Sequence, residues 1–183
     1  MARNTTEVPI HDVLAQRWSP RGFDAAHELD ETELRSLFEA ARWAPSARNL
    51  QPWKFVAARR GSAEFGLIHD ALMGFNQDWA GAASLLVVAF AETERDGKAQ
   101  RWAEYDLGQA MAHLTVQAET LGLNVHQMGG FSPAALSAAF APGVGFTPVV
   151  VAAIGRHTGC VAESIRDKDA APRDRKPYAD LFV

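Results

Sequence analysis

Residues 45 to 53 set one hydroxyl and two carboxamides between two prolines: Pro45, Ser46, Asn49, Gln51 and Pro52, with Trp53 directly behind. Short side chains of this kind hydrogen-bond the edge of a polar ring, and each proline interrupts regular structure. Trp53 and Phe55 follow at once, which a plain linker does not need. The run predicts a binding segment for something flat and polar-edged. Ser46 lacks the G-x-S-x-G setting of a nucleophile. A second chemical feature lies at the chain ends. Arg17 and Arg21 flank Ser19, while Arg173 and Arg175 flank Asp174, with Lys176 adjacent. Guanidiniums so spaced can fork onto one phosphate from two sides. Taken alone, they fit a solvated surface as well.

Other chemistries find little support. The histidines at 11, 27, 69, 113, 126 and 157 show no metal-ligand spacing. Cys160 is the only cysteine, so neither an intrachain disulfide nor a thiolate cluster is possible. Gly143-Val144-Gly145 neither follows a clear strand nor opens a helix, with Pro148 close behind, so it is no dinucleotide fingerprint. A length of 183 residues suits one domain, and 48% hydrophobic with 22% charged residues is ordinary globular composition. A net charge of -4 gives no electrostatic reason to expect nucleic acid or an anionic membrane. No apolar run is long enough to span a bilayer, and residues 1 to 16 lack a signal-peptide core. A cytoplasmic protein is expected.

These residues must be positioned by an α+β pattern. Ile10, Val13, Leu14 and Arg17 predict a short amphipathic helix closed at Trp18-Ser19-Pro20. Asp30 and Glu33 have capping-box spacing, and Leu34, Leu37, Phe38 and Ala41 predict a helix from Glu31 to Ala44, ended by Pro45. Strands are predicted at Trp53–Ala58, Ser84–Phe90, Asn124–Met128 and Thr147–Ile154, the second being central and buried. Helices are predicted at Ala63–Met73, at Tyr105–Leu121 with Gly122 as the stop, and from Pro133 to Phe140 behind Ser132 as N-cap. Residues 92 to 99 read as a loop or the start of a surface helix. Gly108, costing about 1 kcal/mol of helix propensity against alanine, predicts close helix approach, reasonably at a dimer interface. Trp43 and Trp53 read as core or interface aromatics, and Trp79 and Trp102 as substrate-mouth or exposed packing groups. From Cys160 the chain reads as a charged tail whose Leu181-Phe182-Val183 end folds back or docks on another subunit.

In chain order, four segments resemble the nitroreductase family of FMN-dependent α+β homodimers that use NAD(P)H. Residues 17 to 23 resemble its Arg-x-Ser-x-Arg/Lys-x-Phe element, and residues 45 to 53 its Pro-Ser-x-x-Asn-x-Gln-Pro-Trp signature. Residues 128 to 131 resemble the loop along the flavin ring, and residues 173 to 177 the basic C-terminal element. The resemblance implies one FMN-binding domain over residues 1–183, with a central, mainly antiparallel sheet flanked by helices, in an obligate homodimer with sites at the interface. Arg17, Arg21, Arg173 and Arg175 would hold the flavin phosphate. Ser19 would bond the phosphate or the ring edge, with Trp18 beside it. Asn76 would meet the ring's polar edge. Pro45, Ser46 and Asn49 would serve the neighbouring subunit's flavin, and Gly129 would offer its N–H to flavin N5, with Gly130 close by.

The activity implied is ping-pong reduction of nitroaromatics, quinones or similar small aromatic electrophiles, with FMN supplying the hydride chemistry and no catalytic side chain required. Two alternatives stand beside it. One is a related flavoprotein that reduces enones or aldehydes, oxidises substrates or fragments flavin. The other is a non-enzymatic flavin-binding dimer.

Overall fold

The computed structural model describes residues 4–183. Helix α1 (Asp12–Gln16) is one turn and a half. Helix α2 (Glu31–Arg42) opens on the expected capping box: Asp30 accepts from the Glu33 amide while Glu33 accepts from the Asp30 amide. It stops two residues before Ala44, because a residue preceding proline disfavours helical torsions. A short 3-10 turn (Ala47–Asn49) leads to strand β1 (Trp53–Arg59), then helix α3 (Ala63–Asp70) and helix α4 (Asn76–Ala80). Helix α3 ends at Asp70 rather than Met73, since Leu72 leaves to form a bridge with Phe131. Strand β2 (Leu85–Glu92) is followed by strands β3 (Glu94–Arg95) and β4 (Lys98–Ala99).

The β3–β4 hairpin replaces the expected loop or helix start. Its turn is Asp96-Gly97, both with positive φ (52° and 72°), and Asp-Gly is a strong signal for a two-residue hairpin turn. Helix α5 (Ala103–Thr120) is the longest element and gives way to Gly122 at φ 70°. Strand β5 (Asn124–Met128), helix α6 (Pro133–Phe140) and strand β6 (Phe146–Gly155) follow. Ser132 caps α6 by accepting from the Ala135 amide.

The sheet runs β1-β2-β6-β5 with every pair antiparallel. Strand β2 is a continuous apolar run because both of its faces are covered. Leu85, Val87, Ala89 and Ala91 pack on α2 and α5, while Leu86, Val88 and Phe90 pack with residues of α3, α4 and α6. Each fully buried large side chain contributes roughly 1.5–3 kcal/mol. Pro148 is tolerated in β6 because the pairing with β2 slips there: Ala89 faces Val150 and Phe90 faces Pro148, a bulge of the kind that accommodates proline.

Beyond β6 the expected charged tail contains helix α7 (Glu163–Ala170) and a 3-10 turn (Tyr178–Leu181). Only Ile165 of α7 packs on the core, so its sequence shows no apolar stripe. Leu181, Phe182 and Val183 are exposed on this single chain, so they do not fold back.

Candidate functional site

The turn leaving α1 and the segment after α7 meet. Arg17, Trp18, Ser19, Arg21, Arg173 and Arg175, six residues expected to act together, line one cavity of about 320 Å³ with His126 and Lys168. Arg17 Nη1 donates to Ser19 Oγ at 3.4 Å. The Arg173 guanidinium lies 5.7 Å from the Trp18 ring centroid and donates to Asn4 Oδ1 at 2.6 Å. Burial first, then the like charges of Arg17 and Arg175, push Arg173 below the usual arginine range. Cations so crowded are relieved by an anion.

Helix α7 supplies what the sequence did not announce. Asp169 has a side chain only 8% exposed and accepts from the Arg21 amide (2.9 and 3.0 Å) and the Gly22 amide (2.9 Å). It also lies 3.5 Å from the Arg21 guanidinium. This carboxylate fastens the C-terminal segment to the N-terminal arginine element. A charge-dense run at 166–169 gives no sign of which carboxylate turns inward. A larger cavity of about 540 Å³ shares Trp18, Asp169 and Arg173 and is lined further by His157, Thr158 and Arg166. Its mixed lining lacks the concentrated positive charge, so the smaller cavity is the better anion site.

A second cluster forms around Gly130. Asn76 Nδ2 donates to the Gly130 carbonyl at 3.2 Å, and that carbonyl also accepts from the Met73 amide at 2.9 Å. A Cβ on Gly130 would come within 2.9 Å of Asn76 Nδ2, whereas one on Gly129 would meet no atom within 4 Å. Gly129 therefore presents open backbone. It lies three residues beyond His126, about 10 Å along an extended strand. Trp79 is not at a mouth: it is 2% exposed, packs 6.0 Å from Phe23 and 4.6 Å from His126, and its Nε1 has no partner among the described residues. The Nε1 of Trp18 is likewise buried and unpartnered. Trp102, by contrast, is exposed beside Tyr105.

Pro45, Ser46 and Asn49 line neither cavity. Their loop is nonetheless held firmly. Ser46 Oγ accepts from the Gln51 amide at 3.0 Å, and buried Asp106 of α5 accepts from the Ala47 amide at 2.9 Å. Arg48, Asn49 and Gln51 all have positive φ, between 49° and 56°, which costs non-glycine residues energy and persists only where surroundings over-determine it. Asn49 and Arg48 are exposed, so the loop displays side chains away from its own core. Gly108, expected to admit a neighbouring helix, would bring a Cβ within 4 Å of no atom of the described residues beyond its own stretch of helix.

A four-stranded antiparallel sheet between helical layers, with a cavity lined by arginines from both ends of the chain, defines an α+β protein. The Nitroreductase family profile matches residues 14–74. A solved structure described as an oxidoreductase containing FMN superposes with a TM-score of 0.90 at 32% identity, covering 98% of this chain and 93% of that one. A candidate NADH dehydrogenase/NAD(P)H nitroreductase of Rhodopseudomonas palustris is 31% identical over 133 residues, 62% of this chain and 67% of that protein. The CLA biosynthesis enone reductase of Lactiplantibacillus plantarum is 33% identical over 92 residues, 50% of this chain but only 42% of that enzyme. The chain belongs to the nitroreductase family.

Proposed function

We propose that this chain is an FMN-dependent NAD(P)H oxidoreductase, acting as one domain in a homodimer and reducing nitroaromatics, quinones or similar electrophiles by two electrons. The observation that carries the reading is the convergence of four arginines from opposite chain ends on one cavity beside Ser19. The fit to a phosphate is good: the mutual repulsion around Arg173 is what a dianion would relieve. Arg17, Arg21, Arg173 and Arg175 would hold the phosphate and Ser19 would donate to it. Asn76, already bonded to Gly130, would meet the ring's polar edge, and the open backbone of Gly129 would approach flavin N5.

FMN, when bound, supplies the hydride chemistry, and the protein supplies position and electrostatics. Pro45, Ser46 and Asn49 would reach the partner's flavin, which accounts for a strained loop facing away from its own cavities. Arg48, Asn49 and Gln51 hold their positive φ because Asp106 fixes the loop's start and Ser46 its end. The chain has no dinucleotide fingerprint of its own, so NAD(P)H and the electrophile would use one open face in turn, a ping-pong order.

The test is the visible spectrum of the purified protein. Flavin absorbance that bleaches anaerobically with NADH or NADPH, and returns with a quinone, is the expected result. A protein that neither carries nor binds flavin overturns the reading. Similarity to the enone reductase favours a second reading, hydride delivery to an enone, distinguished by product analysis with enone and quinone side by side.

A further inference from the structure

We infer that His126 is a phosphate-binding residue of the arginine cavity, taking up a proton at Nε2 as an anion enters and donating it to that anion. The inference rests on the FMN reading and adds to it a residue on β5, outside both arginine segments. His126 lines the cavity. Its Nδ1 lies 2.9 Å from the Pro20 carbonyl oxygen, and a carbonyl only accepts, so Nδ1 carries a proton. Neutral His126 therefore has a bare Nε2, which can accept but not donate. The ring is fixed from both sides, by Pro20 and by the Trp79 ring 4.6 Å away.

The charges around the cavity decide its state. Arg17 and Arg21 come from the N-terminal segment, Lys168 and Asp169 from α7, and Arg173 and Arg175 from the tail. Asp169, the one carboxylate in this set, is already engaged by the Arg21 and Gly22 amides. With no anion present, burial holds the imidazole below its usual range; the Arg21 charge adds to this, and the Pro20 and Ser19 carbonyls and Asp169 oppose it. A phosphate dianion reverses that balance by placing opposite charge among the cations. One proton then moves from solvent to Nε2, and no other bond changes. Linkage fixes the sign: the added affinity is complete below the empty-site pKa and is lost as pH rises through the higher bound-site pKa.

The experiment titrates FMN and riboflavin onto flavin-free protein, followed by flavin fluorescence, from about pH 6 to about pH 8.5. Wild-type protein should bind FMN more tightly as pH falls through the bound-site pKa toward about 6.5, with a slope of at most about tenfold per pH unit. Below about pH 6 the phosphate's own protonation opposes this. Riboflavin, which has no phosphate, should show no such slope. His126→Gln should bind FMN with a flat profile, and its riboflavin binding reports that it is folded. Calorimetry in two buffers of different ionisation enthalpy should show proton uptake for wild type and none for His126→Gln. A flat wild-type FMN profile, an unchanged slope in His126→Gln, or the same slope with riboflavin overturns the assignment. Failure to bind either flavin at any pH overturns the FMN reading itself.

Discussion

Arg173 and Arg95 show why position matters more than residue type. Arg95 is paired with Glu92, raising its pKa and lowering that of Glu92, and it belongs to the β3–β4 hairpin. Arg173 is pressed against other cations. Reversing Arg17 or Arg175 to Glu should weaken FMN binding by roughly tenfold to a hundredfold, the range of a charge-assisted hydrogen bond. Arg95→Glu should leave it unchanged, as isothermal titration would report; equal effects would remove the phosphate assignment. His126 gives a second residue-scale prediction. In the flavin-free chain its pKa lies below its usual range, so the unfolded chain binds the proton first. Its contribution to stability is present above the unfolded value of about 6.5 and is lost as pH falls below it, through the lowered folded-state pKa. Thermal melts of flavin-free protein should show a downward step there that His126→Gln lacks.

At the scale of elements, two carboxylates that the sequence did not single out as site residues tie the proposed binding segments to the scaffold. Asp169 joins α7 to the Arg21-Gly22 turn, and Asp106 joins α5 to the Pro45–Trp53 loop. Asp106→Ala leaves the Ala47 amide without its partner, at a cost of about 1–3 kcal/mol. The same change should loosen FMN, because the strained loop loses the contact that fixes its start. Asp106→Asn retains an acceptor oxygen and should restore most of the affinity. Chemical denaturation and FMN titration of both variants check this; an alanine variant with unaltered flavin affinity would show that the loop does not serve the site. Reading residues 92 to 99 as loop or helix start passes over Asp96-Gly97, a hairpin signal masked by the polar composition around it. Helix α7 was not legible, because its face toward the core contributes one apolar side chain, Ile165.

For the whole molecule, the proposed homodimer would draw on exposed apolar features. Tyr105 and Trp102 are 64% and 50% exposed on α5 and its cap, and Gly108 presents open backbone one turn on from Tyr105. Leu181, Phe182 and Val183 add an apolar end. Two copies burying such surfaces would form a self-complementary interface. Gly108→Arg should therefore shift sedimentation equilibrium from twice the chain mass toward the chain mass and release FMN in parallel. A monomer that keeps full flavin affinity would sink the interfacial site.

The Pro45–Trp53 run, the arginine segments and the buried β2 strand were determined by sequence alone, since proline torsions, fixed side-chain chemistry and a continuous apolar run are local properties. The α2 capping box and the Ser132–Pro133 start of α6 were local in the same way, each resting on hydrogen bonds within a few residues. Only the tertiary structure decided that residues 17 and 173, so distant in sequence, face one cavity. It also decided that Trp79 is core and that Asp106 and Asp169 turn inward. Those outcomes depend on which surfaces bury together, and a carboxylate's burial is set by the amides that reach it from another part of the chain.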